Sequence, residues 1–212
     1  MKAIISDFDG TLFDTKIKEN IIGVNKFVNE GNIFVLATGR TYQSIKKMVL
    51  EYKIPYHYLI CSDGMCIYNQ NDNLIYEKYL EKDFVDKIIN FCLNYNSDIV
   101  IKYDNNNDIC DFNEKVSRIL ISASIDVKKQ LCDLLNNSFD DVYAYLSTNW
   151  LNISSINSDK TVAIKYIKDL LTLDDIYVIG NDVNDYAMIK YFNGYLINHN
   201  ISSFDELLKK IG

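Results

Sequence analysis

Histidine and proline are scarce in this chain. Only two of its 212 residues are histidines, His57 and His199, and they lie far apart in the sequence. A zinc site built from histidines, or a Ser-His-Asp triad, therefore has little support. Pro55 is the only proline, and it predicts a break in the chain just before a short apolar run. Any chemistry in this protein must be sought in other side chains.

Long apolar runs are also missing. The longest, such as Ile33–Ala37, fall far short of the roughly 20 residues that span a bilayer. The N-terminal MKAIISDFD reaches acidic residues before the apolar region of a signal peptide could develop. The five cysteines are scattered without a C-x-x-C pair, as is typical of reduced, buried thiols. Together these features predict a cytoplasmic protein that is soluble and has no membrane partner.

Positive charge is in deficit, because 22 basic residues face 29 acidic ones and the formal net charge is −7. Binding to nucleic acid is dominated by cationic contacts to phosphate, so this balance argues against a nucleic-acid partner. A single local cation can still reverse the sign of a site, so a small phosphorylated substrate is compatible with the composition. The composition says nothing about the oligomeric state.

Apolar strands alternate with amphipathic helices at both ends of the chain, and apolar residues make up 48% of it. This alternation, with continuous apolar strands, predicts a parallel sheet that is covered on both faces. In the first part, strands and helices alternate over Lys2–Ser6, Lys18–Glu30, Asn32–Ala37, Thr41–Tyr52 and Tyr58–Cys61. In the last part, the pattern resumes with Lys160–Leu171, Ile176–Gly180, Asn184–Tyr191, Tyr195–Ile197 and Ser203–Ile211.

The middle of the chain follows a different pattern. After a hairpin over Cys66–Tyr79, two helices and four strands over about 80–156 suggest an α+β unit of its own. We therefore predict an α/β fold: a Rossmann-like, doubly wound parallel sheet core formed by 1–79 and 157–212, with an inserted α+β cap domain at 80–156 that selects the substrate.

Polar residues follow the predicted strands where ligands bind in open parallel sheets, outside the carboxyl ends of the strands. The four groups are Asp7 with Asp9 in DFDGT, Thr38-Gly39-Arg40, Ser62-Asp63-Gly64, and Gly180-Asn181-Asp182-Val183-Asn184-Asp185. Lys160 opens the helix that follows the middle segment. In a doubly wound core these residues would converge on one crevice.

Such a set of carboxylates, a hydroxyl and a lysine suits phosphoryl transfer. Carboxylate oxygens suit Mg²⁺, which would balance the acidic charge. One aspartate could accept a phosphoryl group, and a second, two residues later, could protonate the leaving oxygen and then deprotonate water. Thr38 and Lys160 could hold the remaining phosphate oxygens.

The ordered set DFDGT, ATGR, DK before a helix, and GNDVND resembles the haloacid dehalogenase superfamily of phosphatases. The inserted α+β segment resembles that of the Cof-type sugar phosphatases, the type-IIB capped branch. The resemblance implies that Asp7 is the nucleophile and Asp9 the acid/base, whose backbone carbonyl also ligates Mg²⁺. It further implies roles for Thr38, Gly39, Arg40, Lys160 and Asn184 in holding substrate phosphate, and for Asn181 and Asp185 at the metal.

The chain departs from the family pattern in its fourth motif. The family usually has an aspartate on the metal where this chain has Asn181, and an acid follows at Asp182. The third strand also ends in Asp63-Gly64 rather than Asn-Gly. We predict a Mg²⁺-dependent phosphatase that hydrolyses a small phosphorylated metabolite, with a sugar phosphate as the first candidate that the resemblance implies. The alternatives are a phosphotransferase such as a phosphosugar mutase with the same aspartyl-phosphate intermediate, and a non-catalytic protein that binds a phosphorylated metabolite.

Overall fold

The computed structural model of the chain describes residues 1–111, 115–147, 149–156, 159–173 and 175–211. It divides into two compact units, Met1–Glu77 with Asp159–Gly212, and Lys78–Ser158. Residue 157, the predicted start of the second core segment, lies outside the described residues, so the predicted domain limits stay a prediction. Among the described residues no helix is long and apolar enough to cross a membrane.

Strands and helices alternate through most of the chain. The strands are β1 (Lys2–Ser6), β2 (Ile33–Ala37), β3 (Tyr58–Cys61), β4 (Cys66–Asn69), β5 (Leu74–Glu77), β6 (Val100–Asp104), β7 (Ile109–Cys110), β8 (Arg118–Ser122), β9 (Val142–Leu146), β10 (Leu151–Ser155), β11 (Asp175–Gly180) and β12 (Tyr195–Leu196). The helices are α1 (Ile17–Asn29), α2 (Tyr42–Tyr52), α3 (Lys82–Tyr95), α4 (Ile125–Ser138), α5 (Lys160–Leu171), α6 (Tyr186–Phe192) and α7 (Phe204–Ile211).

The first unit is built on one seven-stranded sheet in the order β12-β11-β1-β2-β3-β4-β5. The five strands from β12 to β3 are parallel, which confirms the predicted α/β core. The last two, β4 and β5, extend it as an antiparallel hairpin. Only the short turn Ser62–Gly64 and Met65 separate β3 from β4, and a parallel connection needs a dozen or more residues.

Helices cover both faces of this sheet, as the continuous apolar strands predict. Neighbouring residues of a strand point to opposite faces. In β1, Ile4 joins the cluster that includes Val24, Phe27, Ile45 and Phe204 of α1, α2 and α7. Its neighbours Ala3 and Ile5 join the cluster that includes Ala163, Ile164, Ile167 and Met188 of α5 and α6. A parallel strand buried on both sides therefore needs apolar residues at every position.

The second unit is a five-stranded antiparallel sheet in the order β7-β6-β8-β10-β9. Its core combines apolar residues of α3 and α4, among them Ile88, Leu131 and Leu135, with alternate residues of β8 and β10. The short strand β7 was not predicted. It forms because the polar turn after β6 lets Ile109 and Cys110 pair back with Asp104 and Tyr103.

The strand order of the first unit creates a crevice beside β1. From β1 the chain proceeds through β2 and β3 on one side, and it later adds β11 and β12 on the other. Such a reversal is the point where open α/β sheets bind ligands, at the carboxyl ends of the strands. The residues directly after β1, β2, β3 and β11 are therefore the place to look for a site.

Candidate active site

The loop after β1 places Asp7 at the centre of the crevice. The Asp7 backbone N–H donates to the Ile179 carbonyl at 2.9 Å, which continues the pairing of β1 with β11 beyond the end of the strand. Phe8 is fully buried, so the loop is anchored on the core. Gly10 has a φ of +78°, and a Cβ there would lie 2.4 Å from the Asn181 side-chain amide. The Asp-Phe-Asp-Gly segment thus turns tightly because glycine stands at its fourth position.

Lys160 connects the two separated segments of the first unit at this loop. Its Nζ donates to Asp7 Oδ1 and to Asp185 Oδ1, at 2.7 Å in both cases. The side chains of Lys160 and Asp185 are fully buried, and that of Asp7 is only 8% exposed. A buried ammonium that bridges two buried carboxylates compensates charges that would otherwise be very costly to desolvate.

Two local features fix Lys160 at the start of α5. The Asp159 carboxylate caps the helix by accepting from the Thr161 N–H at 2.7 Å and the Val162 N–H at 3.2 Å. Gly64, with a φ of +99°, lets the Asp159 backbone approach the end of β3, since a Cβ at Gly64 would lie 2.3 Å from the Asp159 carbonyl oxygen. The Asp-Lys pair of the sequence is therefore a helix cap followed by a buried cation.

The pKa values of Asp7 and Lys160 are both shifted at this site. Burial raises the pKa of Asp7 to about 7, and the nearby Asp185 charge adds to this while Lys160 opposes it. Burial alone would lower the pKa of Lys160, but the Asp185 and Asp7 carboxylates outweigh it and raise that pKa. Lys160 is therefore a firmly protonated cation, and the Asp7 carboxylate depends on neighbouring positive charge to stay ionised.

Asp185 organises the loop after β11. Its Oδ2 accepts from the backbone N–H groups of Asn181 at 3.0 Å and Asp182 at 3.2 Å, while Oδ1 is held by Lys160. Gly180 is required beside it, because a Cβ there would lie 2.5 Å from the Asp185 carboxylate. Where the sequence predicts one helix at Asn184–Tyr191, the structure has a 3₁₀ turn over Val183–Asp185 followed by α6.

The side-chain amide of Asn181 faces the Asp7 loop. One end of it lies 2.9 Å from Thr11 Oγ1, 2.9 Å from the Asp9 carbonyl oxygen and 3.3 Å from Asp7 Oδ2. Because the Asp7 and Asp9 oxygens can only accept, the NH₂ group is the end that satisfies all three. The neighbouring Asp182 does something different: its carboxylate accepts from the Val183 N–H at 2.7 Å and caps the 3₁₀ turn at the surface.

Asp9 does not contact Asp7 but pairs with Arg40. Arg40 Nε donates to Asp9 Oδ2 at 2.8 Å and Nη2 donates to Oδ1 at 2.7 Å, a fork-to-fork geometry. The pair is partly open to solvent, with 31% of the Arg40 side chain and 51% of the Asp9 side chain exposed. Exposed pairs of this kind typically contribute only about 0–1 kcal/mol.

The loops after β2 and β3 complete the crevice. Thr38 is buried, and its Oγ1 accepts from the Arg40 N–H at 3.1 Å. The Asp63 carboxylate lies against Gly39 and accepts from Asn184 Nδ2 at 2.9 Å. Asp63 was predicted to lie in the crevice but was given no role, and Thr11 was not predicted as a site residue. Their positions, at a strand end and within DFDGT, were the available signals.

The structure thus links the predicted residues through three sets of contacts within the first unit. Asp7, Lys160, Asp185 and Asn181 form one set, Asp9 with Arg40 a second, and Asn184 a third through Asp63. In the described part of the chain, no three or more His, Cys, Asp or Glu side chains form a group able to hold a metal. The reason is that the side chain of Asp9 is turned to Arg40 and an amide stands at Asn181.

Comparisons with known proteins agree on one family. A family profile of haloacid dehalogenase-like hydrolases matches residues 4–107 and 100–200. A Buchnera aphidicola protein named "putative phosphatase" is 31% identical, over 88% of this chain and 82% of its own length. The 5-amino-6-(5-phospho-D-ribitylamino)uracil phosphatase of Bacillus subtilis is 22% identical, over 90% of this chain and 80% of its own.

Solved structures share the fold. A haloacid dehalogenase-like hydrolase from Bacteroides thetaiotaomicron superposes with a TM-score of 0.78 at 18% identity, covering 100% of this chain and 99% of that protein. Another such hydrolase, from B. subtilis, superposes with a TM-score of 0.77 at 16% identity, covering 100% and 93%. Since the family profile spans nearly the whole chain, this protein belongs to the haloacid dehalogenase-like hydrolases and is a phosphatase.

Proposed function

We propose that this phosphatase uses Mg²⁺ to hydrolyse a small phosphorylated metabolite, with a sugar phosphate as the first candidate, through an aspartyl-phosphate on Asp7. The observation that carries the proposal is the buried contact between Asp7 and Lys160, at 2.7 Å. It holds a carboxylate at the carboxyl end of a parallel strand, with a fixed cation beside it. That cation is positioned to receive the negative charge of a phosphoryl group.

The donor atoms of the site fit Mg²⁺. One end of the Asn181 side-chain amide lies 2.9 Å from the Asp9 carbonyl oxygen and 3.3 Å from Asp7 Oδ2. Once the amide turns its oxygen inward, these would supply three oxygen ligands, and Mg²⁺ commonly keeps several waters besides. The charges agree as well: Asp7, Asp9, Asp63 and Asp185 outnumber Lys160 and Arg40 by two negative charges. Bound there, the metal would supply positive charge at the phosphoryl oxygens and favour the ionised form of Asp7.

The chain's own residues divide the reaction into two displacements. In the first, an Asp7 carboxylate oxygen bonds to phosphorus, the phosphorus–oxygen ester bond breaks, and Asp9 gives its proton to the leaving oxygen. In the second, Asp9 takes a proton from water, whose oxygen bonds to phosphorus, and the Asp7–phosphate bond breaks to release inorganic phosphate. Asp9 ends each cycle protonated again.

The other predicted residues hold the phosphoryl group. Lys160 would neutralise one oxygen, and Thr38 with the Gly39 backbone would bind others at the end of β2. Arg40 would add a second cation. Asn184 would reach the group only by sharing its amide with Asp63, which accepts from it at 2.9 Å. These roles need several donors around one small anion, as phosphoryl transfer generally does.

The choice of substrate is proposed to lie in the second unit, Lys78–Ser158. The Bacillus subtilis relative, a phosphatase of 5-amino-6-(5-phospho-D-ribitylamino)uracil, acts on a phosphorylated ribityl compound. That chemistry supports a polyhydroxylated substrate for this chain too. Replacing residues 78–158 by the corresponding segment of that relative should move substrate preference toward its compound, while hydrolysis of the generic para-nitrophenyl phosphate changes little. An unchanged ranking of substrates would assign the choice to the core unit.

The direct test is release of inorganic phosphate from para-nitrophenyl phosphate, and from a panel of phosphorylated metabolites, with Mg²⁺ and with EDTA. We expect turnover that needs Mg²⁺ and is highest for one sugar or sugar-alcohol phosphate. Turnover that requires an acceptor sugar or a bisphosphate activator would instead identify a phosphotransferase. Binding of the panel without turnover would identify a non-catalytic protein.

A further inference from the structure

We propose that the substrate's phosphate takes Arg40 away from Asp9, so that substrate binding itself releases the acid/base for proton transfer. The proposal rests on the function proposed above and adds a step to it. Arg40 then has two successive partners, the Asp9 carboxylate in the free enzyme and the phosphate in the complex.

The free enzyme holds Asp9 in a form that cannot act. Both of its carboxylate oxygens accept from Arg40, Oδ2 from Nε at 2.8 Å and Oδ1 from Nη2 at 2.7 Å. In this fork both carboxylate oxygens are directed at the guanidinium and away from any substrate. Both Asp9 oxygens accept in the fork, so the proton that Asp9 holds at the end of a cycle passes to solvent when the fork re-forms. To protonate the next leaving oxygen, Asp9 must leave the fork, take up a proton from the solvent that reaches its 51% exposed side chain, and turn toward the substrate.

Arg40 can change partners without moving its backbone. Its main chain is fixed by the Ser62 N–H, which donates to the Arg40 carbonyl at 2.8 Å, and by the bond from its own N–H to Thr38 Oγ1. The guanidinium carbon also lies 5.3 Å from the centre of the Phe8 ring, and Nη1 is 3.4 Å from Ser44 Oγ. These contacts leave Nε and Nη2, the two nitrogens that donate to Asp9, able to exchange the carboxylate for another acceptor.

A phosphate is a suitable competitor for these two nitrogens. Phosphate and carboxylate accept the same bidentate pattern from a guanidinium, and the dianion carries more charge. Solvent reaches both members of the pair, since 31% of the Arg40 side chain and 51% of the Asp9 side chain are exposed. The pair is therefore accessible to an arriving anion, unlike the fully buried contact between Lys160 and Asp185.

The test is a double-mutant cycle read by calorimetric binding of inorganic phosphate, in buffer containing Mg²⁺. The proteins are the wild type, Asp9→Asn, Arg40→Met and the double variant. If Asp9 competes with phosphate for Arg40, Asp9→Asn should tighten phosphate binding about three- to fivefold more when Arg40 is present than when it is Met. This range corresponds to the loss of one exposed ion pair. As a matched control, Asp72→Asn removes another half-exposed carboxylate, which pairs with Lys46, and should leave phosphate affinity unchanged.

The cycle separates release of Arg40 from simple repulsion between Asp9 and phosphate. Repulsion acts at least as strongly without Arg40, which otherwise screens it, so equal or larger tightening in the Arg40→Met background would overturn the proposal. So would an Arg40→Met protein that binds phosphate as well as the wild type, or a wild type that does not bind phosphate at all. The readout is independent of turnover: a positive cycle in a protein that hydrolyses no phosphomonoester would remove the proposed function and leave the exchange standing.

Discussion

Lys160 Nζ and Asp7 Oδ1 are 2.7 Å apart although 153 positions separate the two residues in the chain. The contact exists only when α5 starts beside the end of β1, so it reports that the two separated parts of the first unit have come together. It also sets the charge state of the site, because Lys160 is the nearest cation to the proposed nucleophile. We therefore expect folding and the proposed chemistry to depend on the same lysine.

Replacing this lysine should be destabilising. Lys160→Met removes the cation between two buried carboxylates, and breaking a buried ion pair in this way typically costs about 3–5 kcal/mol. Urea unfolding of the two proteins measures the difference. The exposed Lys168 of the same helix provides the control, since Lys168→Met should change the free energy of unfolding by about 0.5 kcal/mol or less. A similar small effect at Lys160 would mean that the buried bridge does not form.

Asp7→Asn should abolish turnover, because an amide is a poor nucleophile and weakens the proposed metal site. Phosphate release from para-nitrophenyl phosphate measures this, and in the wild type beryllium fluoride with Mg²⁺ should form a stable mimic of the acyl-phosphate on Asp7. Turnover of Asp7→Asn near the wild-type rate would show that another group is phosphorylated.

Asp9→Asn should lose about 10²- to 10⁴-fold in kcat, the usual contribution of general acid–base help. The backbone carbonyl of residue 9 is unchanged, so we expect Mg²⁺ to bind as before, which calorimetric titration can check. A variant with full kcat and a raised KM would instead make Asp9 a binding residue.

The sequence predicts this fold well in the parallel strands, where burial on both faces decides the type of residue at each position. Consecutive apolar residues in β1, β2 and β3 predict a strand buried on both faces, and the residues after those strands predict where a ligand binds. The hairpin over Cys66–Tyr79 was also predicted, and β4 and β5 form it, but its place at the edge of the parallel sheet and the 3₁₀ turn before α6 were not predicted. At that turn the Asp185 carboxylate accepts from the Asn181 and Asp182 N–H groups, as in a capping box at the start of a helix.

Side-chain pairing within the site was beyond sequence reasoning for a related reason. Asp9 and Arg40 each match a family motif, but nothing in either motif says that the free enzyme pairs them. Asp63 was expected in the crevice, but the sequence did not predict that its carboxylate would lie against Gly39 and accept from Asn184. A motif specifies which groups arrive at the strand ends, while their mutual orientation is decided by charge balance and desolvation among all of them.

His57 should make stability depend on pH. Its Nδ1 accepts from the Phe34 N–H at 3.2 Å, and burial lowers the pKa of His57 below its ordinary 6.5. The unfolded chain therefore binds a proton more readily, so stability should fall as the pH drops below about 6.5. Urea unfolding at pH 7.5 and 5.5 should show a smaller drop in His57→Gln than in the wild type. The exposed His199 is the control, and an equal drop in His199→Gln and His57→Gln would exclude His57 as the cause.

Asn181 provides the sharpest test of the metal site. One end of its side-chain amide lies 2.9 Å from the Asp9 carbonyl oxygen and 3.3 Å from Asp7 Oδ2. Without a metal this end must donate hydrogen bonds to the two oxygens, and with Mg²⁺ bound it must present an oxygen to the metal. Asn181→Asp would place a carboxylate against both oxygens. We therefore expect a protein that is less stable than the wild type without Mg²⁺ and that gains more from adding it.

Two measurements check this expectation. Mg²⁺ titration by calorimetry should show binding to Asn181→Asp at least about tenfold tighter than to the wild type, because a unit charge about 4 Å from a divalent ion gains several kcal/mol before desolvation offsets much of it. The Tm of this variant should also rise more steeply with Mg²⁺ concentration, since a ligand stabilises the state that binds it. Asp182→Asn is the matched control: its carboxylate caps the Val183 turn, so metal affinity should be unchanged. Loss of Mg²⁺ binding in Asp182→Asn, with no change in Asn181→Asp, would transfer the metal ligand to Asp182 and shift the motif by one residue.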